Sequence, residues 1–273
     1  MVNAGKIANT IVIRGAGEMA TGIAVRLFNS GFKVIMTDTS KPSSIRRKVS
    51  FSEAIYDGEA EVEGVKAILS DSPQHAIVLL KDRVIPVLAD PDLNCLRFIK
   101  PFALVDATLA KRNLGINKNM APVVIGVGPG FCAGVDCHAV IESMRGHDLG
   151  RVIYNGRAQE NTGIPGDIMG FTKQRVVYAP EAGVIELINN IGDLVESDQT
   201  IAKIGSCPVK APISGVLRGM IRNKYEVSKG MKIGDVDPRG VIEYCYTISD
   251  KARTIAGGVL EVLMHFKYFP PEV

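Results

Sequence analysis

Two glycine-rich turns carry the clearest chemical suggestion in this sequence. The first reads Arg14-Gly15-Ala16-Gly17 and runs on through Glu18 and Met19 to Ala20. It follows the β-branched run Ile11-Val12-Ile13 and precedes apolar residues at helical spacing, Ile23, Ala24, Leu27 and Phe28. Between a strand and a helix, such glycines let the backbone approach a pyrophosphate, and the helix start offers N–H groups and a positive dipole. Asp38 falls 21 residues after Gly17, close to the roughly twenty-residue spacing of a ribose-binding carboxylate. Gly15, Gly17, Ala20 and Asp38 are therefore candidate cofactor-binding residues. Glu18 opposes this chemistry, because a carboxylate beside a pyrophosphate repels it. A tight strand-to-helix turn that binds nothing has the same composition.

The second turn, Gly126-Val127-Gly128-Pro129-Gly130-Phe131, follows the run Val123–Val127. Glycines two apart leave the backbone open to an anion or a pterin, although Pro129 lacks an N–H and so cannot complete a phosphate nest. Gly126, Gly128 and Gly130 join the candidates. Asp136 and His138 follow and are the candidate catalytic residues, against plainer roles as a helix cap and a surface side chain. Arg46 and Arg47 lie just past the second strand, where paired guanidinium groups can hold a phosphate, as in NADP sites. A solvated basic loop, or pairing with Glu53 and Asp57, accounts for them equally well. Five cysteines show no C-x-x-C spacing, and neighbouring Cys137 and His138 rarely chelate together, so no metal site is expected. Neither a nucleophile elbow nor a phosphate-loop lysine is present.

The elements that must position these residues begin with a strand–helix–strand unit, closed by Gly31 and the second strand Val34-Ile35-Met36. That unit implies a parallel sheet. Ala76–Leu80, Val84–Leu88, Phe102–Val105 and Val123–Val127 read as further strands, and Val135–Met144 as a helix. Beyond residue 165 a repeat appears. Val177-Tyr178-Ala179-Pro180-Glu181-Ala182-Gly183-Val184 matches Val209-Lys210-Ala211-Pro212-Ile213-Ser214-Gly215-Val216 at an offset of 32, and Val195 and Ile201 match Val227 and Ile233. Halves this short cannot bury a sheet face alone. The pattern resembles the two halves of a biotinyl- or lipoyl-type barrel-sandwich domain. The hairpin Gly205-Ser206-Cys207-Pro208 lacks the Met-Lys-Met of a carrier, so neither biotin nor lipoate is expected. Ser249 to Phe266 reads as one amphipathic helix with Ala252, Ile255, Val259, Val262, Leu263 and Phe266 on its inner face. The expected fold class is α/β: a Rossmann-like parallel sheet over 1–165, a barrel-sandwich hybrid module over 166–240 with repeats 177–204 and 209–236, and a segment 241–273 returning to the first domain.

Composition narrows the functional classes. The 273 residues carry 32 basic and 29 acidic side chains, a net charge of +3 that does not by itself point to nucleic acid. Hydrophobic residues at 46% and charged residues at 22% are globular values. No apolar run approaches the ~20 residues that span a bilayer. Met1 to Thr10 carries no secretory pattern, and an odd cysteine count suits reduced thiols in the cytoplasm.

Several longer stretches carry a family resemblance. They include Ile45-Arg46-Arg47 with Val49, Phe51, Glu53-Ala54 and Tyr56-Asp57-Gly58, and Val105-Asp106-Ala107 with Lys111-Arg112-Asn113. Gly126 through Asp136, Arg145 through Ile153, Asn161 through Gly166, Asp237 through Gly240 and Ser249 through Arg253 extend the likeness over nearly the whole chain. The sequence resembles the YqeB-type accessory proteins of the selenium-dependent molybdenum hydroxylase system, with a theme shared by XdhC-like proteins. The resemblance implies a maturation protein that binds a molybdopterin (cytosine) dinucleotide while a terminal ligand is installed or the cofactor inserted. Lys111 and Arg112 would then join Arg46 and Arg47 on its phosphates. The implied partners are a hydroxylase apo-enzyme, other maturation proteins or a second copy of the chain, with neither nucleic acid nor membrane. Two alternatives stand beside it: an NAD(P)-dependent oxidoreductase with Asp38 on the ribose, and a non-catalytic docking scaffold.

Overall fold

The computed structural model describes residues 9–269. Most of the stretch read as lacking a leader therefore lies outside the described residues. The chain divides into two units, one of residues 9–42, 50–161 and 248–269, the other of residues 43–49 and 162–247. The division thus falls after 161 and 247, and the short strap 43–49, read from the sequence with the first domain, belongs to the second unit.

The first unit opens with β1 (Thr10–Arg14), α1 (Glu18–Asn29) and β2 (Lys33–Asp38). It continues with α2 (Ala54–Asp57), β3 (Glu59–Val62), β4 (Val65–Ser70), α3 (Pro73–Leu79) and β5 (Ile85–Ala89). Then come β6 (Ala103–Asp106), β7 (Val123–Val127), β8 (Ala139–Ile141), β9 (Val152–Ile153) and, at its end, α4 (Asp250–Tyr268). One nine-stranded sheet results, in the order β3-β4-β5-β2-β1-β6-β7-β8-β9. Strands β1, β6 and β7 are buried along their whole length, as strands covered on both faces must be.

The expected Rossmann-like parallel sheet is corrected on two counts. β3 runs antiparallel to β4 and β9 antiparallel to β8, so the sheet is mixed at both edges. The connections from β6 to β7 and from β7 to β8 hold no α-helix among the described residues. The predicted helix Val135–Met144 is instead a tight turn leading into β8: Asp136 N–H donates to the Cys132 carbonyl at 2.8 Å, and the β-branched residues enter the sheet. Ala76–Leu80, read as a strand, lies instead in α3, where Ser72 Oγ accepts from His75 N–H at 3.2 Å and Pro73 occupies the first turn. A cap followed by proline outweighs the β-branched content of so short a run.

α4 packs along α1 because small residues allow it. A Cβ on Gly22 of α1 would stand 2.8 Å from the Ala252 Cβ. Ser249 Oγ caps α4 by accepting from Ala252 N–H, and Ala252, Ile255, Val259, Val262 and Leu263 are buried while Phe266 is half-buried.

The second unit holds β10 (Val176–Tyr178), β11 (Gly183–Leu187), β12 (Leu194–Val195), β13 (Thr200–Ile204), β14 (Cys207–Lys210), β15 (Gly215–Met220), β16 (Glu226–Val227) and β17 (Lys232–Asp237). These make two four-stranded antiparallel sheets, β10-β17-β15-β12 and β14-β13-β11-β16. This corrects the expected barrel-sandwich module. Each sheet takes two strands from each half of the repeat, and the matching positions Val195, Val227, Ile201 and Ile233 share one core. Gly183 and Gly215 adopt the same positive φ, 151° and 154°. In the second half a Cβ at this position would collide with the Asp237 carbonyl.

Next to that contact lies a buried ionic network. Asp237 takes Arg239 on both oxygens, Nε at 2.9 Å and Nη2 at 2.6 Å, and Arg218 Nη1 at 3.0 Å. Asp235 pairs with Arg175 and lies 3.5 Å from Arg218 Nε. Among the described residues of both units, no helix is long and apolar enough to cross a membrane.

Candidate functional site

The strand order sets the site. From β1 the chain builds β2 and then β5 to one side, and β6 starts the other side, so the loops after β1 and β6 diverge at the C-terminal edge. Open α/β sheets bind ligands at such a reversal. Around it stand the loops that carry most of the sequence candidates.

Gly17 is the N-cap of α1 in extended conformation, and no side chain caps that helix end. Asp38 Oδ2 accepts the Ala16 N–H at 2.7 Å, and Oδ1 accepts Thr39 N–H at 2.7 Å. Burial raises its pKa, with the two N–H groups pulling the other way. A carboxylate offers about four acceptor positions, so Asp38 retains capacity for sugar hydroxyls while it holds the turn.

Gly15 has φ +98°, and a Cβ there would lie 3.1 Å from the Ala107 carbonyl oxygen. Gly128 similarly faces Ser143 Oγ, Gly126 lies beneath the Phe131 ring, and Gly130 meets the backbone of Lys111 and Arg112. The protein's own loops therefore occupy the space that these four glycines open. Lys111 and Arg112 are exposed and lie against the second glycine turn, so the structure brings those basic residues to this edge.

Arg46 and Arg47 belong to the other compact unit. There Arg46 is buried, donates to the Tyr244 carbonyl at 2.8 Å and so leaves the solvated-loop reading. Arg47 Nε donates to the Met220 carbonyl at 2.8 Å. Asp136 and His138 are away from the edge. They precede β8, and His138 meets the start of β7: its N–H donates to the Val124 carbonyl, and its Nδ1 accepts the Val124 N–H at 2.9 Å. Asp136 Oδ2 accepts Cys132 N–H at 2.8 Å. Both side chains build a turn at the N-terminal edge of the sheet.

Burial, with the Lys118 charge behind it, lowers the His138 pKa below 6.5. The unfolded chain then binds its proton first as pH falls, so stability is lost on acidification through that range. We expect the denaturant midpoint to drop between pH 7 and pH 5, and His138→Asn to flatten that dependence. An unchanged slope in the variant would remove His138 as the cause.

All five cysteines are free, and burial pushes Cys95 and Cys137 up to about 12. Among the described residues no group of three His, Cys, Asp or Glu side chains is placed to hold a metal ion.

Sequence reasoning missed the groups that finish this edge. Arg14 is buried and pairs with Asp106 at 3.3 Å while donating to the Pro91 and Leu114 carbonyls. Glu142, buried just past β8, accepts Met144 N–H at 2.7 Å and Gln159 N–H at 2.8 Å. Arg145 holds Asp250 through two bonds of 2.6 and 2.7 Å, and Lys251 follows in the first turn of α4. A basic residue at a helix start, against the dipole, was the available signal.

No protein-family model matches the chain. Among solved structures, it is similar to the product-bound ectoine utilization protein EutE (DoeB) of Ruegeria pomeroyi, at 8% identity over 83% of this chain and 56% of that one, TM-score 0.24. A succinylglutamate desuccinylase of a Silicibacter species matches at 10% identity over 84% of both chains, TM-score 0.26. An aspartoacylase family protein of Mesorhizobium loti matches at 11% identity over 84% of both chains, TM-score 0.25. None of these is described as a molybdenum-cofactor or selenium accessory protein. Likeness at this level assigns no activity. Among curated proteins, YqeB of Escherichia coli (strain K12), described as uncharacterized, is 53% identical over 254 residues, which are 93% of this chain and 47% of that protein. The chain spans about half the length of that curated relative.

Proposed function

We propose that this chain is a cofactor-handling accessory protein that holds a ligand bearing ribose and pyrophosphate at the C-terminal edge of its nine-stranded sheet. One observation carries the reading: the reversal of strand order between β1 and β6 brings the uncapped start of α1 and the Asp38 carboxylate to one edge. The first-turn N–H groups suit a phosphate, and Asp38 suits ribose hydroxyls. Lys111 and Arg112 supply positive charge. The resemblance in sequence supplies the finer part of the proposal, service to a selenium-dependent molybdenum hydroxylase with a molybdopterin dinucleotide as ligand.

Titration with a molybdopterin dinucleotide and, separately, with NADH read by nicotinamide fluorescence tests this. Gly17→Val is expected to abolish dinucleotide binding with an unchanged circular-dichroism spectrum. Asp38→Asn is expected to weaken it about tenfold, the loss of charge-assisted hydrogen bonds to the sugar. Saturable NADH binding without molybdopterin binding would put the oxidoreductase reading first. Binding of neither would leave the docking scaffold.

A further inference from the structure

Arg14 ends the central strand β1, and its side chain crosses the reversal in strand order. Nε and Nη2 donate to the Pro91 carbonyl at 2.9 and 2.7 Å. Nη1 donates to the Leu114 carbonyl at 3.1 Å and to Asp106 Oδ2 at 3.3 Å. Pro91 lies in the loop after β5 and Leu114 in the loop after β6, and those strands stand on opposite sides of β1. One guanidinium therefore joins the two loops that flank the candidate site. Asp106 is wholly buried and fixes the second loop at its start: its Oδ1 accepts the Thr108 N–H at 3.1 Å and the Thr108 hydroxyl at 2.6 Å. Both loops contain unfavourable backbone, since Leu93, Leu109 and Lys111 have φ of 59°, 55° and 63°. Residues other than glycine keep such angles where the surroundings over-determine them. All three guanidinium nitrogens bond protein groups and the residue is buried. Arg14 is thus placed to hold loops, although it adjoins the glycine turn where a phosphate is expected.

We propose that Arg14 is a positioning residue that sets the separation of the loops after β5 and β6, and so favours a two-part ligand, a dinucleotide, over a mononucleotide. The proposal rests on the cofactor reading above and narrows the ligand class within it. A mononucleotide needs only the start of α1 and the Asp38 carboxylate. The second half of a dinucleotide must reach past β1 to the loop after β6, where Lys111 and Arg112 lie against Gly130. Two linked halves bind more tightly than either alone only when both seats lie within the span of the link. The guanidinium fork holds those seats apart by bonding both loops at once, with the Asp106 charge anchoring it. Lysine keeps the charge for Asp106 but lacks the planar fork that reaches both carbonyls.

The test compares the parent chain with Arg14→Lys, titrating NADH against AMP and molybdopterin cytosine dinucleotide against cytidine monophosphate. Affinity for the dinucleotide that the parent binds is expected to fall at least about tenfold, while affinity for its mononucleotide half stays at the parent value. Amide hydrogen exchange over 90–95 and 107–116 is expected to quicken in the ligand-free variant. If Arg14→Lys does not fold, Arg14→Gln combined with Asp106→Asn removes both charges together and leaves no buried ion unpaired. Equal losses for dinucleotide and mononucleotide would leave Arg14 a structural residue and overturn the proposal alone. Undiminished dinucleotide affinity, or unchanged exchange in both loops, would do the same. A parent chain that binds neither dinucleotide would instead sink the cofactor reading, and this proposal with it.

Discussion

Asp237→Asn is expected to destabilise the protein by about 3–5 kcal/mol, the usual consequence of removing one partner from a buried ion pair. Asp237 is wholly buried and receives three bonds from Arg239, two from its guanidinium and one from its backbone N–H, and one from Arg218. Burial by itself would raise its pKa; the Arg239 bonds and the Arg218 charge prevail and hold it at about 2. The folded value lies below the unfolded 3.8, so this stabilisation is complete above 3.8 and disappears as pH falls toward about 2. Asparagine keeps the shape but leaves two guanidinium groups short of a countercharge. Urea unfolding at neutral pH measures the loss, and a change below about 1 kcal/mol would show that the network is solvated in solution.

Gly130→Ala is expected to lower stability by about 2 kcal/mol or more with no ligand present. Gly130 has φ +108°, and an added Cβ would lie 2.5 Å from the Arg112 nitrogen and 2.6 Å from its Cα. Backbone does not yield as a flexible side chain does, so the loop after β6 must shift. A thermal melt of the ligand-free protein reads this directly. A variant as stable as the parent would mean that Gly130 is kept open for something other than its neighbouring loop.

The two glycine turns illustrate what was legible in the sequence. Strand β1, the turn and α1 follow from a β-branched run, two glycines and a helical apolar stripe, all local signals. So does α4, whose cap and inner face are spelled out in consecutive residues. The purpose of Gly128 and Gly130 was not local: they answer to Ser143 and the Lys111–Arg112 backbone, and proximity of separate loops leaves no mark in spacing. The same holds for Arg46, whose guanidinium donates to the carbonyl of Tyr244, 198 residues away. Asp136 and His138 misled because an apolar run after a glycine turn reads as a helix. Here the turn from Cys132 to Asp136 leads the chain into β8, at the edge away from the candidate site.

The exchange of strands in the second unit has a consequence for how such a module can exist at all. β10 pairs with β17 and β13 with β14, while β12 pairs with β15 and β11 with β16. Except for the pairs β11–β13 and β15–β17, every ladder joins one half to the other. A single half would expose open strand edges, the arrangement that recruits another chain, and its missing neighbours would be supplied by an identical half turned about a twofold axis. Joined in tandem, the two halves make this chain its own symmetric partner.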